Sequence, residues 1–244
     1  KIADDVIIGP FSYIGSEVIL HSGVQIKSHV VVTGKTEIGQ ESVVYSFAVI
    51  GEIPQDLKFK GEKTSLKIGK RNQIRENVTI NVGTEGGGGL TSVGNNCLFM
   101  TGSHVAHDAT IGDNVIMANN VMVAGHVDIG DYAILGGATA IHQFCKIGAH
   151  SFMGGGAIVL RDVPPYVMVS GTKYIPQGIN SEGLRRRGYG KETIMAIKRA
   201  YKVIYRDNNT VEEAIKKLTE MAEGHPEVGM LITFLAESER GIVR

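Results

Sequence analysis

The 244 residues carry 25 Lys and Arg against 25 Asp and Glu, so the formal net charge is zero, and there is no Trp. A neutral chain gives no electrostatic case for nucleic acid or for a membrane surface, and no apolar run approaches the ~20 residues of a membrane span. Two cysteines and no signal peptide lead to the expectation of a reducing, cytoplasmic setting.

The first stretch repeats in sixes. Ile2, Ile8, Ile14, Leu20, Ile26, Val32, Ile38, Val44 and Ile50 are all apolar. Neither a helix nor an ordinary strand has this period, whereas a parallel β-helix does, each hexad making one short strand and one corner. Three hexads close a triangular coil with the sixth-position aliphatics pointing inward, and Gly or Asn takes the awkward backbone angles at the corners. Coils of this repeat wind left-handed. The chain opens on Lys1 with Ile2 already in phase, so it is expected to start inside the first coils, with N-terminal residues missing. His21 and His29 in this stretch read as solvated surface residues.

Residues 52–66 break the repeat with charge, Pro54 and Gly61, and predict an excursion loop. Loops tolerated by a repeat scaffold are where binding residues tend to sit, and Asp56 and Lys58 are the charged candidates here. The phase returns at Ile68, Ile74 and Ile80, then shifts at 83–90, where four consecutive glycines occur. Their spacing matches neither of the common glycine-rich phosphate motifs, so a flexible loop is expected.

From Val93 to Val159 the repeat is unbroken. On its three faces His104 ends a hexad of the second face, while His107, His126 and His142 sit early in successive hexads of the third. None takes an inward slot, so four of the eight histidines converge outside the prism near one corner. His107 followed by Asp108 is the pattern of a general base supported by a carboxylate. Gly125, one coil further on, can offer a backbone N–H to a developing oxyanion. The chain has no G-x-S-x-G and no plausible Cys nucleophile, and Cys97 and Cys145 lie on different faces and coils, which argues against a disulfide. Direct acyl transfer is therefore preferred to a covalent intermediate. Two alternatives stand beside it: a zinc site of three histidines, as in the γ-type carbonic anhydrases, and a purely structural prism.

The repeat ends at D-V-P-P-Y, which closes a β-helix domain over residues 1–164. Residues 165–190 read as a connecting segment holding Asn180, Glu182 and the run Arg185-Arg186-Arg187, whose Gly-flanked position favours anion binding. A small helical domain over 191–244 follows. Ile194, Ile197, Tyr201 and Ile204 have helical spacing, Thr210 with Glu213 forms a capping box, and Pro226 starts a last short helix.

Taken together, S-H-V-A-H-D-A-T-I-G, A-N-N-V-M-V-A-G-H-V, I-H-Q-F-C-K-I-G-A-H, R-D-V-P-P-Y-V, N-S-E-G-L-R-R-R-G and the terminal R-G-I-V-R resemble the acyl-ACP–UDP-N-acetylglucosamine O-acyltransferases, which catalyse the first step of lipid A synthesis in Gram-negative bacteria. The match runs over essentially the whole chain. The resemblance implies a homotrimer of left-handed β-helices with active sites between subunits. It implies transfer of an (R)-3-hydroxyacyl group from acyl carrier protein to the 3-position of UDP-N-acetylglucosamine. No metal or cofactor is implied beyond the carrier's own phosphopantetheine. By motif, His107 is the general base, Asp108 its support and Gly125 the oxyanion donor. His104, His126, His142 and Gln143 contact substrate. Asp56 and Lys58 act from the excursion loop, Gly155 sets acyl length and its small size favours a long chain, and Asn180, Glu182, Arg186 and Arg187 meet nucleotide or carrier. Asn81-Val82-Gly83-Thr84 stands where many members read H-R-G-T, and Lys173 replaces a frequent His; both bear on nucleotide or carrier contacts. The related N-acyltransferase of the pathway has an extra uridine-binding domain, and the helical tail favours the O-acyltransferase. Some members acylate a 3-amino sugar, which is the alternative acceptor.

Overall fold

The computed structural model describes all residues from Lys1 to Arg244. Twenty-five short strands form three sheets of ten, eight and seven. Within the prism all pairing is parallel, and where no loop intervenes partners in successive coils stand 18 residues apart: His104 with Met122, Met122 with Ala140, and Ala140 with Ile158. The hexad dictates this register. Most prism strands have two residues and turn one side chain inward, and the same slot returns one coil later. Ile26, Val44, Ile74, Phe99, Met117, Leu135 and Met153 fill the inward slots of the ten-stranded sheet and are all 0–1% exposed. Each such side chain contributes about 1.5–3 kcal/mol of burial.

The expected corner residues are only part of what is found. Asn77, Asn96, Asn114 and Asn120 have positive φ, but so do aromatic and charged residues. Phe11, His29 and Phe47 stack at one corner, and Tyr132, His150 and Tyr166 at another, with φ from 58° to 68° and ring centroids 5.0–5.6 Å apart. The left-handed backbone costs about 1–2 kcal/mol for such residues. Ring stacking between coils, worth about 0.5–1.5 kcal/mol a pair, offsets part of it.

Past the last coil, Val167–Val169 and Pro176–Ile179 pair antiparallel and extend the ten-stranded sheet. The chain then forms α1 (Ser181–Arg186), α2 (Lys191–Tyr205), α3 (Val211–Ala222) and, after a 3₁₀ turn at Pro226–Val228, α4 (Gly229–Ala236). The segment read as a connection thus holds two strands and a helix. The capping box forms as expected: Glu213 N–H donates to Thr210 Oγ1 at 3.2 Å and Thr210 N–H to Glu213 Oε2 at 2.9 Å. Tyr166, fully buried at the prism end, donates its hydroxyl to Glu227 O and ties the helices to the coils. No helix is long and apolar enough to cross a membrane.

Candidate active site

His104 sits on a strand of the eight-stranded sheet, and His107 and Asp108 on the corner that follows. Asp108 adopts φ 59°, in the same corner slot where later coils place His126 and Phe144. That slot turns the Asp108 carboxylate back beneath its neighbour: His107 Nδ1 lies 2.7 Å from Asp108 Oδ2. The Asp108 side chain is 0% exposed and that of His107 16%, so the pair is sheltered yet open on one side. The carboxylate also accepts Thr84 N–H at 2.7 Å and the Thr84 hydroxyl at 2.6 Å. His126 stacks on Phe144 at 4.5 Å, meets the His107 ring edge-on at 5.1 Å and brings Nε2 to 3.7 Å from Asp108 Oδ2.

Gly125 lies against the other edge of the imidazole. A Cβ built there would stand 2.7 Å from His107 Cε1 and 2.8 Å from Nε2, so any side chain would overlap the ring. The Gly125 N–H donates to no group of the chain. His104 Nδ1 pairs with Thr79 Oγ1 at 2.7 Å. Burial, and then the nearby His107, holds His104 below the ordinary histidine range, which favours its neutral form.

The remaining expected residues are spread more widely. His142 and Gln143 are exposed, and His142 Nδ1 faces Gln143 O at 3.1 Å. Asp56 and Lys58 lie on the excursion loop, where Lys58 N–H donates to Asp56 Oδ1; no hydrogen bond or ion pair links them to the histidines. Gly155 is exposed, and a Cβ there would meet only Gly137, at 3.2 Å.

Asn180 caps α1 by accepting Gly183 N–H, and its Nδ2 donates to His150 O. Glu182 pairs with Arg185 and, at 3.0 Å, with Arg186. Arg187 turns inward, over the Tyr132 ring at 4.9 Å, and donates to Tyr132 O at 3.1 Å. Asn180, Glu182, Arg186 and Arg187 edge a groove of about 410 Å³ whose floor is Ile116, Ile134, Phe152 and Met168. The floor residues face outward from the ten-stranded sheet, where periodicity assigns no role to them.

His107, Asp108 and His126 are also the one group of ligand-type side chains whose donor atoms lie within 4.8 Å of one another. Their geometry suits a proton relay better than zinc. The 2.7 Å between His107 Nδ1 and Asp108 Oδ2 is a hydrogen-bond length, shorter than the about 3.3 Å edge of a tetrahedral site with ~2.0 Å bonds. The glycine-rich segment 83–90 is anchored at its start, where Thr84 ties it to Asp108. The link between Thr84 and Asp108 is not legible in the sequence, because the two lie 24 residues apart.

A profile described as UDP N-acetylglucosamine O-acyltransferase, domain 2, matches residues 162–243, and one for the bacterial transferase hexapeptide (six repeats) matches 1–34 and 91–125. Among solved structures, LpxA from Acinetobacter baumannii is 49% identical with a TM-score of 0.97, covering 100% of this chain and 95% of that one. UDP-N-acetylglucosamine O-acyltransferase from Moraxella catarrhalis is 44% identical, with a TM-score of 0.97 and coverage of 100% and 95%. UDP-N-acetylglucosamine acyltransferase from Francisella novicida is 42% identical, with a TM-score of 0.97 and coverage of 100% and 90%. With this likeness the coils are left-handed, as the repeat led one to expect.

Proposed function

The chain belongs to the UDP-N-acetylglucosamine O-acyltransferases, and from that premise we propose that it transfers an (R)-3-hydroxyacyl group from acyl carrier protein to the 3-hydroxyl of UDP-N-acetylglucosamine, opening lipid A biosynthesis. The observation that carries the mechanism is the His107–Asp108 pair at 2.7 Å with the Gly125 backbone against the far edge of the imidazole. His107 Nε2 takes the proton of the sugar hydroxyl as its oxygen attacks the thioester carbon. The carbonyl oxygen gains charge, which the Gly125 N–H stabilises. Collapse breaks the C–S bond, and the imidazolium returns its proton to the pantetheine thiolate. Thioester and alcohol become ester and thiol, and no resident cofactor takes part.

Two features support the proposed partners. The outward positions of the eight-stranded sheet include Tyr13, Met122 and Ile158, 51–62% exposed in one chain, on the same face as His104. A homotrimer that packs this face against further copies would bury the apolar ladder and set the site at the seam. Lys198 and Lys202 on α2 and Arg206 just past its end edge a groove with Tyr201, and none of the three pairs with a carboxylate. Such a stripe suits an acidic carrier. Cys97 and Cys145 are free and buried, which suits a reducing cytoplasm.

His107→Ala is expected to leave a folded trimer and to lower kcat by about 10²–10⁴-fold. Turnover near that of the unaltered protein would remove His107 as the base.

A further inference from the structure

The glycine-rich loop is tied to the site by one side chain. Thr84 caps the 3₁₀ turn Glu85–Gly87, its hydroxyl accepting Gly87 N–H at 3.2 Å. The same hydroxyl is 2.6 Å from Asp108 Oδ2, and Thr84 N–H is 2.7 Å from Oδ1. A hydroxyl has one proton to give. With Gly87 N–H on its lone pair, the Thr84 proton points at the carboxylate. The loop backbone also presses on that group: a Cβ at Gly87 would fall 2.1–2.5 Å from the Asp108 carboxyl atoms.

The consequence reaches His107. Asp108 Oδ2 receives the Thr84 proton and faces His107 Nδ1 at 2.7 Å. As a carboxylate Asp108 is acceptor-only, so a hydrogen bond at this distance takes its proton from Nδ1 of His107. The Nε2 lone pair is then the one that faces out, beside Gly125. Without the hydroxyl, Asp108 loses a charge-assisted bond and one of its two tethers to the loop, and can turn away from Nδ1.

We propose that Thr84 is a positioning residue. It fixes Asp108 so that His107 keeps its proton on Nδ1 and its Nε2 free. The proposal rests on the reading of His107 as base, and it gives the glycine-rich insertion a role that chain closure alone does not require.

Three variants test it in the full-length protein: Thr84→Val, which keeps size and backbone N–H but removes the hydroxyl, Thr84→Ser, which restores it, and His107→Ala. Loss of a charge-assisted hydrogen bond corresponds to a fall in kcat of about 10- to 100-fold. That fall is expected in Thr84→Val, with KM for the nucleotide sugar and for acyl carrier protein within about twofold of the unaltered protein, and Thr84→Ser should recover most of it. Imidazole ¹⁵N NMR should show His107 protonated at Nδ1 in the unaltered protein and in Thr84→Ser, and a tautomer mixture in Thr84→Val. Should Thr84→Val not fold, Gly87→Ala drives a methyl into the carboxylate with Thr84 intact, and the same fall in kcat is expected. Full kcat and an unchanged tautomer in Thr84→Val, with His107→Ala inactive, would overturn the role of Thr84 alone. An active His107→Ala would instead remove the base, and this role with it.

Discussion

His150 is packed between the rings of Tyr132 and Tyr166, meets Tyr189 edge-on, and carries the backbone carbonyl that anchors Asn180. Burial pushes its pKa down to about 4, the Arg187 charge acts in the same direction, and Asp131 opposes both. In the unfolded chain a histidine titrates near ~6.5. The neutral ring therefore contributes its full stability above about 6.5, and that contribution is lost as the pH falls towards about 4, because the unfolded chain takes up a proton that the fold refuses. The melting temperature is expected to drop more steeply between pH 7 and 4 in the unaltered protein than in His150→Phe. Equal slopes would mean that His150 is not the titrating group. Sequence reading found His107 and Asp108 because they are adjacent and both point to acid–base chemistry. It passed over His150, because nothing in a period of six says that a corner will take a ring with positive φ and stack it on the next.

At the scale of the element, the coils were the most legible part, since one apolar slot every six residues fixes strand, corner and register together. The capping box at Thr210 and Glu213 was legible for the same kind of reason: both partners lie within one turn. Thr210→Ala is expected to cost about 1 kcal/mol, read as a lower urea midpoint, while an unchanged midpoint would show that α3 does not depend on its cap. By contrast α1 was hidden in a segment read as a connection. It spans six residues, buries only Gly183 and Leu184, and carries Arg185 and Arg186 in its last turn, too short for an apolar stripe to repeat. Its start depends on Asn180, whose side chain is held at both ends by partners in α1 and in the prism. The glycine-rich segment misled in the opposite direction. Its composition suggests freedom, and composition does not show the tertiary contact that fixes Thr84 on Asp108.

At the scale of the molecule the three faces are alike inside and unlike outside. The seven-stranded sheet turns Glu37, Lys67, Asp128 and Lys146 outward, the eight-stranded one Tyr13, Met122 and Ile158, and the ten-stranded one the apolar floor below α1. The outward residue precedes the inward one in each hexad, so this difference was present in the sequence, but the regular aliphatic slot drew the reading inward. The division leaves His107 at the corner between the eight-stranded and the seven-stranded sheets, whereas the groove edged by the arginines lies on the ten-stranded one. The most direct test of the proposed reaction is acyl transfer from a 3-hydroxyacyl carrier protein, after chelator treatment, to UDP-N-acetylglucosamine and in parallel to its 3-amino analogue. Transfer to the hydroxyl acceptor that survives chelation is the expected result. Transfer to the amine alone would contradict the acceptor, and activity that chelation abolishes and zinc restores would contradict the role of His107 and Asp108 as a metal-free base.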